Sequence, residues 1–435
     1  MKFFAFPRFA LAMPFYAVVA STSAAGLLDD AKSALLTRNY YLSNDYRSPS
    51  PTAKSYKQEW AQGFIGTFTS GFTNGAVGVG LDAHAFYGLK LDGGRGHSGT
   101  GLLPVDGDGD GDGRSERDYS SAGGALKLKA SRTTLAVGEM RVETPVFATS
   151  DKRLQPEYAT GFLLNSREID NVNLVAGRFT AFKNQDSSSG KDDFQGYGAT
   201  TDAGGISVIG ADLFSDSPVG AALYASDLSE AWHQYYANLH FKQSGVLLDA
   251  NVYHTRDTGQ ALAGDIDNTV FSLSGKYTLG AHAVMFGWQR INGDTPFDFV
   301  GGDSIYLANS IKYADFNGAR ERSWQARYDL DFGAFGVPGL SFMTRYVSGS
   351  QIDGSHAPKG GAYNTFDADS GQYQPQQGAG GRHWERDIDL HYIVQSGAAK
   401  ELSVQLSQVT HRANSAQADD DIDRIYVVIQ YPLAF

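Results

Sequence analysis

The stretch DRIYVVIQYPLAF (423–435) puts Ile425, Val427, Ile429, Tyr431, Leu433 and Phe435 on one face of an extended chain. Arg424, Tyr426, Val428, Gln430, Pro432 and Ala434 fall on the other. One face is uniformly apolar and the other is mixed. A period of two belongs to a strand, but it leaves two architectures open. In a soluble sandwich the apolar face forms the core and the charged face meets water. In a membrane barrel the apolar face meets lipid and the polar face lines a lumen.

The same alternation recurs upstream. Trp324, Ala326, Tyr328, Leu330 and Phe332 oppose Gln325, Arg327, Asp329 and Asp331, and Ile388, Leu390, Tyr392 and Val394 oppose Asp387, Asp389 and His391. Nearer the start, Val77, Val79, Leu81, Ala83 and Ala85 oppose Asp82 and His84.

Connection lengths separate the two architectures. Short turns at 71–76, 215–220, 278–281, 337–339 and 395–401 alternate with long polar stretches at 92–119, 147–160, 183–204, 293–322, 350–383 and 413–422. Such a meander has its short turns at one end and its long loops at the other, as an outer-membrane barrel does. Segmenting the chain this way predicts an all-β fold, an 18-stranded antiparallel transmembrane β-barrel that begins near 38–47 and ends at Phe435. An even strand number puts both ends of the sheet on the periplasmic side. So many strands enclose a lumen too wide for wall side chains to fill.

Composition agrees with this reading. The chain has 23 Tyr, 26 Phe and 51 Gly against 13 Pro, a balance that suits strands and tight turns. Residues 1–25 carry Lys2 and Arg8, an apolar run from Phe9 to Ala20 and the small residues Ser23, Ala24 and Ala25, which reads as a secretory signal with 26–435 as one barrel. A membrane-anchoring helix is the competing reading, but the run is short and Pro14 interrupts it. The chain has no cysteine, so an exported protein of this size must close its structure by other means. Net charge is −12, and about −14 once Lys2 and Arg8 are removed, which disfavours nucleic acid as a partner.

The stretch VDGDGDGDGRSERD (105–118) imitates a calcium loop. Counted from Asp106, carboxylates fall at positions 1, 3 and 5 and Gly111 at position 6, but position 12 is Arg117 where a bidentate glutamate is needed. Starting at Asp108 puts Gly113 at position 6 and Tyr119 at position 12. Neither register completes a cage, so 106–113 reads as an acidic, glycine-rich extracellular loop, with loose divalent binding left open.

A dozen segments in order, among them RNYYLSNDYR (38–47), GEMRVETPVFA (138–148), RLQPEYATGF (153–162), GDSIYLANSIKYADFNG (302–318), THRAN (410–414) and YPLAF (431–435), give a chain that resembles the OprD family of substrate-specific outer-membrane porins. The resemblance implies a barrel in the outer membrane of a Gram-negative bacterium, surrounded by lipid and lipopolysaccharide, with packing as a homotrimer left open. It implies no cofactor and no resident metal, and passive uptake of small carboxylate-bearing nutrients through a constriction of inward-folded loops and a ladder of basic residues. Guanidinium groups along a narrow passage lower the barrier for an anion.

On that basis 147–160 narrows the lumen and supplies Ser150, Asp151, Lys152, Arg153 and Tyr158, and 301–310 adds Asp303 and Ser304. Parity adds Lys127, Lys129, Arg327 and Arg345 to the ladder, and the family match adds Arg38 and Arg412. Any of these charges can equally hold a loop in place or pair within the wall. Gln405 and Ser407 stand on an inward face where the family often has arginine, which thins the ladder. Phe435 resembles the terminal aromatic read by the barrel-assembly machinery.

Basic amino acids are the first expectation for the substrate, with aromatic acids second. A general diffusion pore, an outer-membrane hydrolase and an adhesin are the rivals. The chain has no G-x-S-x-G or H-E-x-x-H motif and its ten histidines are scattered, so no catalytic constellation is expected.

Overall fold

A computed structural model of the protein describes residues 25–47, 54–93, 96–106, 113–194, 197–198, 204–417 and 419–434. Residues 1–24 of the signal expected over 1–25, Asp108, Asp110 and Asp112 of the acidic loop, and Phe435 lie outside the described residues.

Eighteen strands form one closed sheet. The first six are β1 (Lys32–Tyr46), β2 (Tyr56–Thr69), β3 (Gly78–Asp92), β4 (Asp118–Ala130), β5 (Thr133–Met140) and β6 (Tyr158–Ser166). There follow β7 (Val172–Lys183), β8 (Ile206–Leu213), β9 (Val219–Leu228), β10 (Trp232–Gln243), β11 (Val246–Asp257) and β12 (Asp267–Leu279). The sheet continues through β13 (His282–Asn292), β14 (Arg322–Asp331), β15 (Leu340–Asp353), β16 (Ala379–Ile393), β17 (Ser403–Ala413) and β18 (Ile422–Ala434). Each pairs antiparallel with its sequence neighbours, and β18 pairs with β1 from Ala34↔Ala434 to Tyr46↔Ile422, which closes the barrel.

The wall inverts the burial of a soluble protein. Outward Ile209, Leu239 and Phe286 are 64%, 58% and 67% exposed, whereas inward Gln289, Gln325, Glu385 and Asp387 are 0%, 1%, 0% and 0% exposed. An apolar band that large is stable only against lipid. One barrel end carries turns as short as 131–132, 244–245 and 280–281, and the other carries 93–117, 141–157, 184–205, 293–321 and 354–378. The 229–231 connection breaks the alternation, being short although it lies at the long-loop end.

Three boundaries differ from the sequence reading. β1 begins at Lys32 rather than near Arg38, because Leu35 and Ala34 continue its pairing with Leu433 and Ala434. Phe332 leaves the strand pattern to open a 3-10 turn capped by the Asp331 carboxylate on the Gly333 N–H. Tyr158, Ala159 and Thr160 belong to β6, so the loop that narrows the lumen is 141–157.

Loops fill the lumen that wall side chains leave open. Phe147 from 141–157, Phe194 from 184–205 and Phe297 from 293–321 pack with wall residues Phe179, Trp232 and Tyr253 in one buried cluster. This cluster closes the lumen on its side, and cavities lie along the wall formed by β1 and β12 to β18.

Candidate functional site

The constriction is built by 141–157 and stapled by 293–321. A two-residue hairpin, Glu143–Thr144 against Phe147–Ala148, turns the loop inward. Its tip is held by the Tyr253 hydroxyl donating to the Pro145 carbonyl at 2.8 Å and by Phe147 packed 5.2 Å from Phe179 and 5.5 Å from Phe194. Beyond the hairpin, the Ser150 and Gly302 backbone N–H groups donate to one Glu157 oxygen at 2.7 and 3.1 Å. Burial pushes the Glu157 carboxyl above its ordinary value, against those two N–H groups, which pull it down. The Ala148 N–H donates to the Ser304 hydroxyl at 2.8 Å.

The glycines of GGDSI make this approach possible. Gly301 has φ +85°, and a Cβ there would run into the Ala148 carbonyl. A Cβ on Gly302 would come 2.6 Å from that of Ser150. Ser150 and Ser304 are buried in this staple, so their place is in the loop packing rather than on the passage.

The next residues line the opening. Asp151, Lys152 and Arg153 face Ser310, Ile311 and Lys312 from the second loop, and Arg38, Tyr40, Arg345, Gln405, Tyr426, Val428 and Gln430 from the wall, around a cavity of ≈ 370 Å³. Arg38, 3% exposed, anchors the loop: its Nη1 donates to Asp151 Oδ1 at 2.7 Å and to the Arg153 carbonyl at 2.6 Å. With its amide oxygen turned toward the guanidinium, Gln430 accepts from Arg38 Nε at 2.7 Å and Nη2 at 3.0 Å. Lys152 pairs with Asp303 across the two loops. Tyr158 stands behind the loop, stacked 3.6 Å from His84, which bonds Glu139 at 2.7 Å.

Lys312, Arg345 and Gln405 also line a second cavity of ≈ 560 Å³ toward the short-turn end, with Lys276, Arg327, Asp329 and Asp389. The shared residues make the two spaces one path. Along it most cations have a carboxylate beside them: Arg345 Nε donates to Asp387 at 2.6 Å, Lys312 lies 3.1 Å from Asp389, and Arg327 grips Asp329 through Nη2 at 2.6 Å and Nε at 3.0 Å. A partly neutralised cation holds an anion weakly enough to release it, which conduction requires.

The ladder expected from sequence is brought together only in part. Arg38, Arg327 and Arg345 lie on the path. Lys127 and Lys129 point inward elsewhere, both 5.3 Å from the Phe72 ring, with Lys127 bonded to Asp82 at 2.5 Å. Arg412 is corrected: His411 takes the inward position on β17, so Arg412 turns outward at the rim and pairs with Asp423 at 3.0 Å. Gln405 lines both cavities, whereas Ser407 is covered completely.

Lys312 and Lys276 on the path were missed, and so was Arg424, a buried inward cation that lines neither cavity. Arg424 already stood on the inward face of the C-terminal strand, where parity exposes it; it donates to Asn44 at 2.8 Å. Lys276 also lies in a strand, within reach of parity, but Lys312 lies in a loop, where parity says nothing.

A closed barrel with an apolar outer belt and a charged, loop-narrowed lumen is an outer-membrane channel. The chain belongs to the OprD family of outer-membrane porins: the model described as "outer membrane porin, OprD family" matches residues 25–435. Porin D of Pseudomonas aeruginosa is 41% identical over 443 residues, 98% of this chain and 96% of that protein. The crystal structure of Pseudomonas aeruginosa OprD superposes with a TM-score of 0.77 at 39% identity, covering 94% of this chain and 97% of that one. That of Pseudomonas aeruginosa OpdK with vanillate superposes with a TM-score of 0.82 at 36% identity, covering 94% and 100%. The protein is therefore a substrate-specific porin of a Gram-negative outer membrane.

Proposed function

We propose that the channel passes small carboxylate-bearing nutrients by passive diffusion, basic amino acids before others. The observation that carries this reading is the mixed lining of the cavity at the constriction, where Asp151 stands among Lys152, Arg153, Lys312 and Arg345. Asp303 on the opposing loop adds a second acid beside Lys152. The cations draw the carboxylate of an incoming amino acid while the acids draw its amino and side-chain charges.

Aromatic acids are the second reading. Tyr40, Tyr426 and Val428 give the same cavity an apolar side, and a relative has been crystallised with vanillate.

Uptake of arginine, glutamate and benzoate into liposomes carrying the full barrel separates the readings. Arginine is expected to enter fastest and to slow in Asp303→Ala. Benzoate fastest and indifferent to Asp303→Ala selects the aromatic reading. Equal rates for all three, unchanged in Arg345→Ala and Asp303→Ala, refute a selective channel.

A further inference from the structure

At the long-loop end of the barrel, two of the ten histidines meet. His383 on β16 and His411 on β17 both point inward; the register pairs Glu385 with His411, so the two rings are diagonal neighbours across the strands. Asp419, from the 414–421 connection, completes a triangle: His383 Nδ1 to His411 Nε2 is 2.9 Å, His383 Nδ1 to Asp419 Oδ2 is 3.4 Å, and His411 Nε2 to Asp419 Oδ2 is 3.9 Å. The circumradius of a triangle with these sides is about 2.0 Å, the length of a zinc–imidazole or zinc–carboxylate bond.

The far ring nitrogens decide what the centre needs. His383 Nε2 lies 2.8 Å from Glu321 Oε1, and the other oxygen of that buried carboxylate accepts from the Gly318 N–H at 2.8 Å. His411 Nδ1 lies 2.8 Å from the Asp420 carbonyl, which can only accept. His411 therefore spends its N–H outward and turns a lone pair inward, and the 2.9 Å contact between the rings calls for a cation beside that lone pair, either a proton on His383 Nδ1 or a metal ion. Backing by a carboxylate on one ring and a carbonyl on the other is how metal-bound imidazoles are oriented.

We propose that His383, His411 and Asp419 bind a divalent transition-metal ion, zinc first, at the extracellular mouth of the channel. Two neutral imidazoles, the carboxylates of Asp419 and Glu321 and a dication sum to zero charge, which suits a site where both rings are almost wholly buried. Asp419 is 33% exposed, so ion and water reach the centre from its side. Gln417 Nε2 donates to Asp419 Oδ2 at 2.9 Å and steadies the third donor. Without the ion, one proton shared between Nδ1 and Nε2 fills the gap, and metal binding releases it.

The ion would tie three parts of the mouth. It joins two wall strands to the 414–421 connection, and both rings carry aromatic lids from 293–321, the loop that staples the constriction: Phe316 lies 4.1 Å from His383 and Tyr313 4.9 Å from His411. Tyr313 follows Lys312, which lines the constriction.

Calorimetric titration of ZnCl2 into the tag-free, EDTA-stripped full barrel in detergent tests the site, whatever nutrient the channel carries. One ion per chain is expected, with MgCl2 failing to compete. Asp419→Asn should weaken binding at least tenfold, His411→Gln should abolish it, and zinc should slow amide exchange over 414–421 in the parent chain alone. Heat-modifiable gel mobility establishes that each variant is folded, and Asp419→Asn, a loop change, decides if His411→Gln does not fold. No binding by the parent chain, or equal binding by the folded variants, overturns the proposal.

Discussion

The barrel wall and the loops inside it handle charge differently. On the wall, partners are set by the sheet: Arg345 and Asp387 sit directly opposite each other on β15 and β16, and Arg327 reaches Asp329 two residues along the same strand. In the loops, partners come from far apart in the chain, as Arg38 does for Asp151 and Lys152 for Asp303. Wall pairs are fixed by register and define a static field. Loop pairs hold an aperture, and they hold it only while the staple beneath them is intact.

The difference can be broken hardest on the wall. Phe286 faces lipid and its neighbour Met285 faces the lumen, opposite Arg327. Phe286→Lys is expected to lower barrel stability by about 2–4 kcal/mol, whereas Met285→Lys leaves it nearly unchanged and shifts ion selectivity. Urea unfolding followed by gel mobility measures both, and equal destabilisation would contradict the assignment of faces.

A smaller effect is expected within the loops. Gly301→Val places a branched side chain at φ +85° against the Ala148 carbonyl, at a cost of about 1–2 kcal/mol for the left-handed backbone alone. The unfolding midpoint should move little, because the wall carries the stability. Single-channel conductance should rise, and discrimination between arginine and benzoate should fall. A large loss of stability with unchanged conductance would place the staple in the wall's cooperative unit instead.

The mildest expected effect is a pH dependence. Glu157 has a raised pKa, so the folded loop favours its protonated form; that contribution is fully present below the ordinary value of 4.5 and fades as pH rises toward the raised one. Open-channel current noise should therefore grow as pH rises above the ordinary value of 4.5, and Glu157→Gln should flatten that trend. Noise that falls with rising pH would reverse the sign.

The wall was legible in the sequence because its period is two and its environment is two-sided. DRIYVVIQYPLAF already separates Ile425, Val427 and Ile429 from Arg424, Tyr426 and Gln430, and the structure keeps both faces. Parity fails where the chain leaves the sheet. Lys312 could not be placed on the path, and Ser150 and Ser304 looked like lining residues although their hydroxyl and backbone groups are spent within the staple. Arg412 shows the other failure: carried by the family match, it was assigned inward, while its neighbour His411 already held that face. His383 and His411 looked scattered because they lie on separate strands and meet only through the register.

The β1–β18 seam has a consequence for biogenesis. Thr37 donates to the Tyr431 carbonyl across 394 residues of chain, and no shorter path closes the sheet. The final strand therefore works as a clasp. A chain cut short by one hairpin is not a narrower pore but a sheet with two bare hydrogen-bonding edges in lipid, where unmet backbone groups cost most. Pairing of strands so far apart in the chain carries a large loop-closure cost, which the ring repays only when its seam is made.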